Sequence, residues 1–314
     1  MRKTSLDMVH ALAKRDPRIV FIGSDLGVGT LAEFRAEMPE RFFMEGVSEQ
    51  NIIGMAAGLA MAGFIPYVNT IATFLTRRCY EQLAVDLCLH NLPVRLIANG
   101  GGLVYAPLGP THLAIEDIAI LRVLPNMSIL APADAEEMRR LMPQTVDLPG
   151  PCYIRLSKGG DEVISRPDLP CEFGKAILLR PPGRVLLIGT GVASTRALHA
   201  ANRLAERGIA TGLLHLHTLK PLDGESIVQL AAAVEAVVTV EEHSATGGLG
   251  TAVLELLSGR LGRRAPRLLR LGIPDRFATK YGTQDELMAH YGLDPPGIVA
   301  AVEGFLGGHQ ERAA

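Results

Sequence analysis

At 314 residues, with 48% apolar and 20% charged side chains and a formal net charge of −2, the chain is long enough for two soluble domains with cores of their own. It lacks the basic excess of a nucleic-acid binder, any run near the roughly 20 apolar residues of a membrane span, and a signal-peptide core in Met1-Arg2-Lys3-Thr4-Ser5-Leu6-Asp7. Cys79, Cys88, Cys152 and Cys171 form no C-x-x-C pair, so neither a zinc knuckle nor a disulfide framework is indicated, and a reducing, cytoplasmic setting is expected.

In chain order, an amphipathic pattern over 5–14 predicts a helix, and the β-branched run 18–24 predicts a strand ending just before Asp25. Next comes Gly46-Val47-Ser48-Glu49-Gln50-Asn51-Ile52-Ile53-Gly54-Met55-Ala56-Ala57-Gly58, helical from 49 to 62. Glu49 opens that helix among small and apolar residues. A carboxyl packed there loses hydrating water, which favours a protonated, proton-donating form. A carboxylate that merely complements the helix dipole is the simpler reading of this segment alone. A strand over 66–70 leads into Thr73-Phe74-Leu75-Thr76-Arg77 and a helix over 76–90. Phe74 can stack on a flat heterocycle, and Arg77 can reach the same ligand, although a Phe taken alone here is more often core. The strand 94–98 dissolves into Gly100-Gly101-Gly102. The turn Gly109-Pro110-Thr111-His112 then presents a histidine, suited to proton transfer near neutral pH or equally to capping a loop.

Strands over 127–131 and 152–156 flank a helix over 133–142. Residues 158–183 concentrate Pro, Gly and charge, and separate expected domains at 1–165 and 175–314. Beyond them, strands over 184–189, 211–217, 236–241 and 267–271 alternate with helical patterns such as 194–207. Gly189-Thr190-Gly191-Val192-Ala193-Ser194 looks like a dinucleotide fingerprint, but Ser194 replaces the third Gly and no acid ends the next strand, so a tight strand-to-helix turn is expected. His215 and His217 share a strand face with no third ligand at a suggestive spacing, and no metal site is assigned to this chain. His243 ends a strand, where open parallel sheets bind ligands. The βαβα alternation predicts a doubly wound α/β domain followed by a smaller α/β domain.

In this order the pieces resemble the C-terminal half of the transketolase family over nearly the whole chain. The resemblance is carried by Gly109-Pro110-Thr111-His112 with Leu121-Arg122-Val123-Leu124-Pro125-Asn126-Met127-Ser128 and Ala131-Pro132-Ala133-Asp134, by Gly46-Val47-Ser48-Glu49 with Gly58 and Gly63-Phe64-Ile65-Pro66, and by Thr218-Leu219-Lys220-Pro221-Leu222-Asp223. Thr73-Phe74-Leu75-Thr76-Arg77 is closer to deoxyxylulose-phosphate synthases. The implied fold is the doubly wound pyrimidine-binding domain of thiamine-diphosphate enzymes followed by a transketolase C-terminal domain. Glu49 matches the glutamate that hydrogen-bonds the aminopyrimidine, and Phe74 matches the ring that stacks on it. Arg77 matches an arginine of the synthase branch, Asp25 an acid near the cofactor, and His112 a substrate-facing histidine. Glu49 and His112 are thus the implied catalytic residues, while the cofactor carries the carbanion chemistry.

The family's diphosphate–metal motif has no counterpart in this sequence. The resemblance therefore implies a split enzyme in which this chain is similar to the C-terminal-half subunit of split transketolases. An N-terminal-type partner then holds the diphosphate and Mg²⁺, with a dimer of heterodimers expected. Gly54 and Gly58 would let a partner's backbone approach, or serve packing within the domain. The substrate site departs from the family. Leu108 stands where Asp is common, and Lys158 stands where Arg is, keeping the charge without the bidentate fork. Gly29 and Gly100 stand where sugar-phosphate transketolases carry phosphate contacts, which leaves Arg2 available; His243 is a further substrate candidate. The implied reaction transfers a two-carbon ketol unit to an aldehyde, with donor, acceptor and phosphorylation open. A deoxyxylulose-phosphate-synthase-like or 2-oxo-acid-dehydrogenase-beta-like subunit acting on a 2-oxo acid, and a non-catalytic regulatory subunit, are the alternatives.

Overall fold

The computed structural model describes residues 1–24, 29 and 31–308. Twelve strands form two sheets among these residues. The first sheet contains β1 (Ile19–Gly23), β2 (Phe42–Met44), β3 (Ile65–Ile71), β4 (Arg95–Asn99), β5 (Ser128–Leu130), β6 (Cys152–Leu156) and β10 (Thr218–Lys220). The second contains β7 (Ile177–Arg180), β8 (Val185–Gly189), β9 (Thr211–His215), β11 (Ala236–Ser244) and β12 (Arg267–Ile273). Their orders are β10-β5-β6-β4-β3-β1-β2 and β12-β11-β8-β9-β7, parallel except where β10 meets β5 and β7 meets β9. Strands such as Ile19–Gly23 and Val185–Gly189 are buried at every position, as parallel strands covered by helices on both faces must be.

The expected α/β alternation is present; β2 and β7 are additions to the expected strands, and two expected segments differ. The run 211–217 is one strand only to His215; residues 218–220 then leave the second sheet and add an antiparallel edge to the first, with Thr218 opposite Leu130. The helix expected over 76–90 starts earlier, at Ala72, and breaks after Thr76, whose hydroxyl donates to the Ala72 carbonyl at 2.8 Å. Such local bonding competes with helix continuation. The chain resumes as Tyr80–Gln82 and a π-helical stretch, Leu83–Leu89.

The two sheets share a core. Leu121, Met127 and Ile129 pack in one buried cluster with Leu216, Leu219, Ile227 and Leu249. The intervening segment is pinned to the helix Ala135–Thr145: its cap Asp134 accepts from the Ile164 and Ser165 N–H groups, and Gln144 brackets residues 171–173.

Candidate active site

The carboxyl edge of the first sheet gathers the polar and aromatic groups, as the topology of open parallel sheets leads one to expect. Ser24, Thr70 and Asn99 end β1, β3 and β4 in a buried hydrogen-bonded set. Phe74 follows β3, and the loop carrying His112 follows β4.

Glu49 is the first residue of the helix Glu49–Met61 and is only 2% exposed. Its Oε2 accepts from Arg78 Nη1 at 2.5 Å. The same guanidinium lies over the Phe74 ring, 4.3 Å from its centroid. Phe74 in turn meets the His112 ring edge-to-face, with centroids 5.1 Å apart, and Thr111 Oγ1 is 2.9 Å from His112 Nδ1. Glu49, Arg78, Phe74 and His112 thus form a continuous line, beside a cleft of about 370 Å³ lined by Thr73, Phe74, Arg77, Arg78 and Thr111.

Nothing in the sequence marks Arg78 as a site residue. Its neighbour Arg77, which the sequence does mark, points elsewhere: it donates to the Leu113 carbonyl and pairs with Glu116, bracing the exit of the His112 loop.

The His112 loop is closed by an antiparallel bridge between Gly102 and Ala114, with N–H to carbonyl bonds of 2.9 and 3.1 Å. Gly109 adopts φ +79°, and a Cβ there would lie 2.5 Å from the Tyr281 ring, so only glycine fits. Beneath the loop is a buried polar network that sequence reasoning misses. Asp117 Oδ2 accepts from Arg155 Nε and the Tyr153 hydroxyl, each at 2.7 Å. Arg155 also donates to the carbonyls of Ala114 and Glu242, and Glu242 Oε1 accepts from the Leu103 N–H at 2.7 Å and from Gln284. Burial alone would raise the Asp117 carboxyl, but the Arg155 guanidinium and the hydrogen bonds from Arg155 and Tyr153 hold it below the usual range. For Glu242, and likewise for Glu241, burial prevails and pushes the carboxyl up.

The remaining expected residues are placed differently. His243 is fully buried: its Nδ1 donates to the Ser244 carbonyl at 2.7 Å, leaving Nε2 to accept from the Ala119 N–H at 3.3 Å. Both ring nitrogens are used between the sheets, so the ring faces no open space and differs from the expected substrate contact. Leu108 is 51% exposed, in the same loop as His112. Lys158 is exposed beyond β6, without a hydrogen bond or ion pair among the described residues. Arg2 opens the first helix, whose preceding amine at Met1 lies 3.7 Å from Asp161. Neither Lys158 nor Arg2 joins the Glu49 line among the described residues, and Asp25 lies outside them. Gly191, at φ +53°, makes the tight turn into the helix Ala193–Glu206, closed by Ser194 Oγ 2.6 Å from His215 Nδ1.

Fold and site together define a two-domain α/β chain with an acid, an aromatic ring and a histidine at the carboxyl edge of its first sheet. The chain belongs to the transketolase family: residues 1–160 match the transketolase pyrimidine binding domain and residues 174–298 the transketolase C-terminal domain. It is 37% identical to an apulose-4-phosphate transketolase subunit of Phocaeicola vulgatus, over 97% of each chain. It is 40% identical to 1-deoxy-D-xylulose-5-phosphate synthase 1 of Geobacter sulfurreducens over 96% of this chain, but spans only 47% of that protein, about half its length. A solved split-gene transketolase, described as an inactive beta4 tetramer, superposes with a TM-score of 0.88 at 37% identity, covering 96% of both chains. Membership of the family implies use of thiamine diphosphate. No helix among the described residues is long and apolar enough to cross a membrane.

Proposed function

We propose that this chain is the pyrimidine-binding subunit of a two-component, thiamine-diphosphate-dependent, transketolase-like enzyme that moves a two-carbon ketol unit to an aldehyde acceptor. The observation that carries the reading is that Glu49, Phe74 and His112 lie together at the carboxyl edge of the first sheet, with Arg78 bridging Glu49 and Phe74 in the chain alone. The residues fit the cofactor's pyrimidine end. Glu49 supplies a desolvated carboxyl and Phe74 a ring face, and Arg78 engages both in the chain alone. Arg78 is 42% exposed, so it can swing into water and release them. When bound, the cofactor supplies the electron sink for the carbanion. Glu49 holds a proton at the pyrimidine nitrogen, Phe74 orients the ring and excludes water, and Arg77 keeps the His112 loop in place. His112 holds or moves a proton at the substrate oxygen. Leu108, Lys158 and Arg2 contribute the rim that selects the donor and acceptor.

Support for a partner comes from the helix Glu49–Met61. Gln50, Gly54, Gly58 and Met61 form one exposed stripe, and a Cβ built on Gly54 or Gly58 meets nothing within 4 Å. Among the described residues, nothing packs against the two glycines. A partner of the N-terminal transketolase type docks there, brings the diphosphate and Mg²⁺ site, and assembles as a dimer of heterodimers in the cytoplasm.

The test combines this chain with an N-terminal-type chain of the same genome, thiamine diphosphate and Mg²⁺. Turnover of a hydroxyketone donor with an aldehyde, requiring both chains, is expected. Decarboxylation of pyruvate under the same conditions would instead support the synthase-like reading, which the identity to the Geobacter sulfurreducens synthase favours. Cofactor binding without turnover of either donor class would support a regulatory subunit.

A further inference from the structure

Away from the Glu49 line, the junction between the sheets holds Glu137, Cys171 and His217, one ligand atom from each lying within 4.8 Å of the others. Three different parts of the chain contribute: the helix Ala135–Thr145, the segment between the sheets, and the residue just before β10. Glu137 and His217 are buried, and Cys171 is half-buried. The second observation is an orphan. His217 is 0% exposed, yet its Nε2 has no hydrogen-bond partner among the described residues. A buried imidazole nitrogen without a partner is costly and calls for a ligand.

We propose that Glu137, Cys171 and His217 form a Zn²⁺ site that fastens the two sheets together. Thiolate, imidazole and carboxylate are the borderline-soft donor set zinc takes, and the half-buried side at Cys171 leaves room for water as fourth ligand. The surroundings hold each donor in place, as metal ligands require. Thr218 Oγ1 lies 2.8 Å from His217 Nδ1 and also accepts from the Gly174 N–H. With Nδ1–H donating to that hydroxyl, the Nε2 lone pair is free for the metal. Glu137 Oε2 is fixed by the Ala133 N–H at 2.6 Å and His215 Nε2 at 3.0 Å, and Gln144 bonds the Cys171 carbonyl at 2.9 Å. At neutral pH a free cysteine is ordinarily a thiol, so the metal-free site carries S–H. Coordination replaces that proton, which leaves to solvent as the S–Zn bond forms.

The test uses the full-length chain without a histidine tag. After dialysis against zinc-free buffer, elemental analysis is expected to find one zinc per chain. Titration with Zn²⁺ alone against a chromophoric chelator should show Cys171→Ser and His217→Gln each weakening binding by at least the roughly 10-fold that loss of an outer partner costs. Co²⁺ substitution of the wild-type chain should give a thiolate-to-cobalt charge-transfer band, a readout that holds even if a variant fails to fold. Substoichiometric zinc, wild-type affinity in both variants, or a cobalt spectrum without the thiolate band would overturn the site.

Discussion

Arg78 grips Glu49 at 2.5 Å while its guanidinium covers the Phe74 ring at 4.3 Å. One side chain thus engages both the carboxyl and the ring face assigned to the pyrimidine. A double-mutant cycle on the chain alone, Glu49→Ala with Arg78→Ala, should give a coupling of about 1–2 kcal/mol. The partial exposure of Arg78 keeps it below the value of a fully buried pair. Chemical denaturation of the four proteins measures it.

Asp117 is the keystone beneath the His112 loop. Asp117→Asn leaves Arg155 buried without its counter-charge, and a loss of about 3–5 kcal/mol is expected. Urea denaturation at neutral pH checks the cost. Turnover of the assembled enzyme should fall as well, because Arg155 holds the Ala114 carbonyl at the loop's base.

Burial also makes the fold sensitive to alkali. The Cys79 and Cys152 thiols and the Tyr67 hydroxyl are pushed up to about 12, and the Cys88 thiol to about 11. The unfolded chain releases these protons near its ordinary 9 to 10, while the folded chain keeps them. Their stabilising contribution is therefore full below about pH 9 and is lost as the pH rises toward 11 and 12. Denaturation in reducing buffer should show stability falling over that window, with a shallower slope for Cys152→Ala.

The exposed glycine stripe separates folding from assembly. Gly54→Ala should stabilise the isolated chain by about 0.5–1 kcal/mol, since the added methyl meets only space and the helix gains propensity. Gly58→Leu should leave the fold intact but block close approach by the partner. Thermal melts check the first, and sedimentation of the mixed chains checks the second.

Much of this site is legible in the sequence because its signals are local. A lone acid at the head of a small-residue helix, an aromatic after a strand, and a histidine after a Gly-Pro turn are each visible within a few residues. Glu49, Phe74 and His112 do converge. The supporting network is not legible, because its bonds join residues 36, 38 and 87 positions apart, as in Tyr153 to Asp117, Arg155 to Asp117 and Arg155 to Glu242. His243 misleads for a related reason. A strand's carboxyl end is open only if no other domain covers it, and here the first domain does. The edge strand Thr218–Lys220 is hidden because its apolar pattern continues that of β9 while its pairing partner lies in the other sheet.

In the proposed function, Glu49 acts on a cofactor shared with a second chain. The most direct measurement is steady-state turnover of the reconstituted two-chain enzyme carrying Glu49→Gln, with circular dichroism and partner binding recorded on the same sample. A folded, assembled complex whose turnover falls by about 100-fold or more is expected. Wild-type turnover by that folded, assembled complex would contradict it.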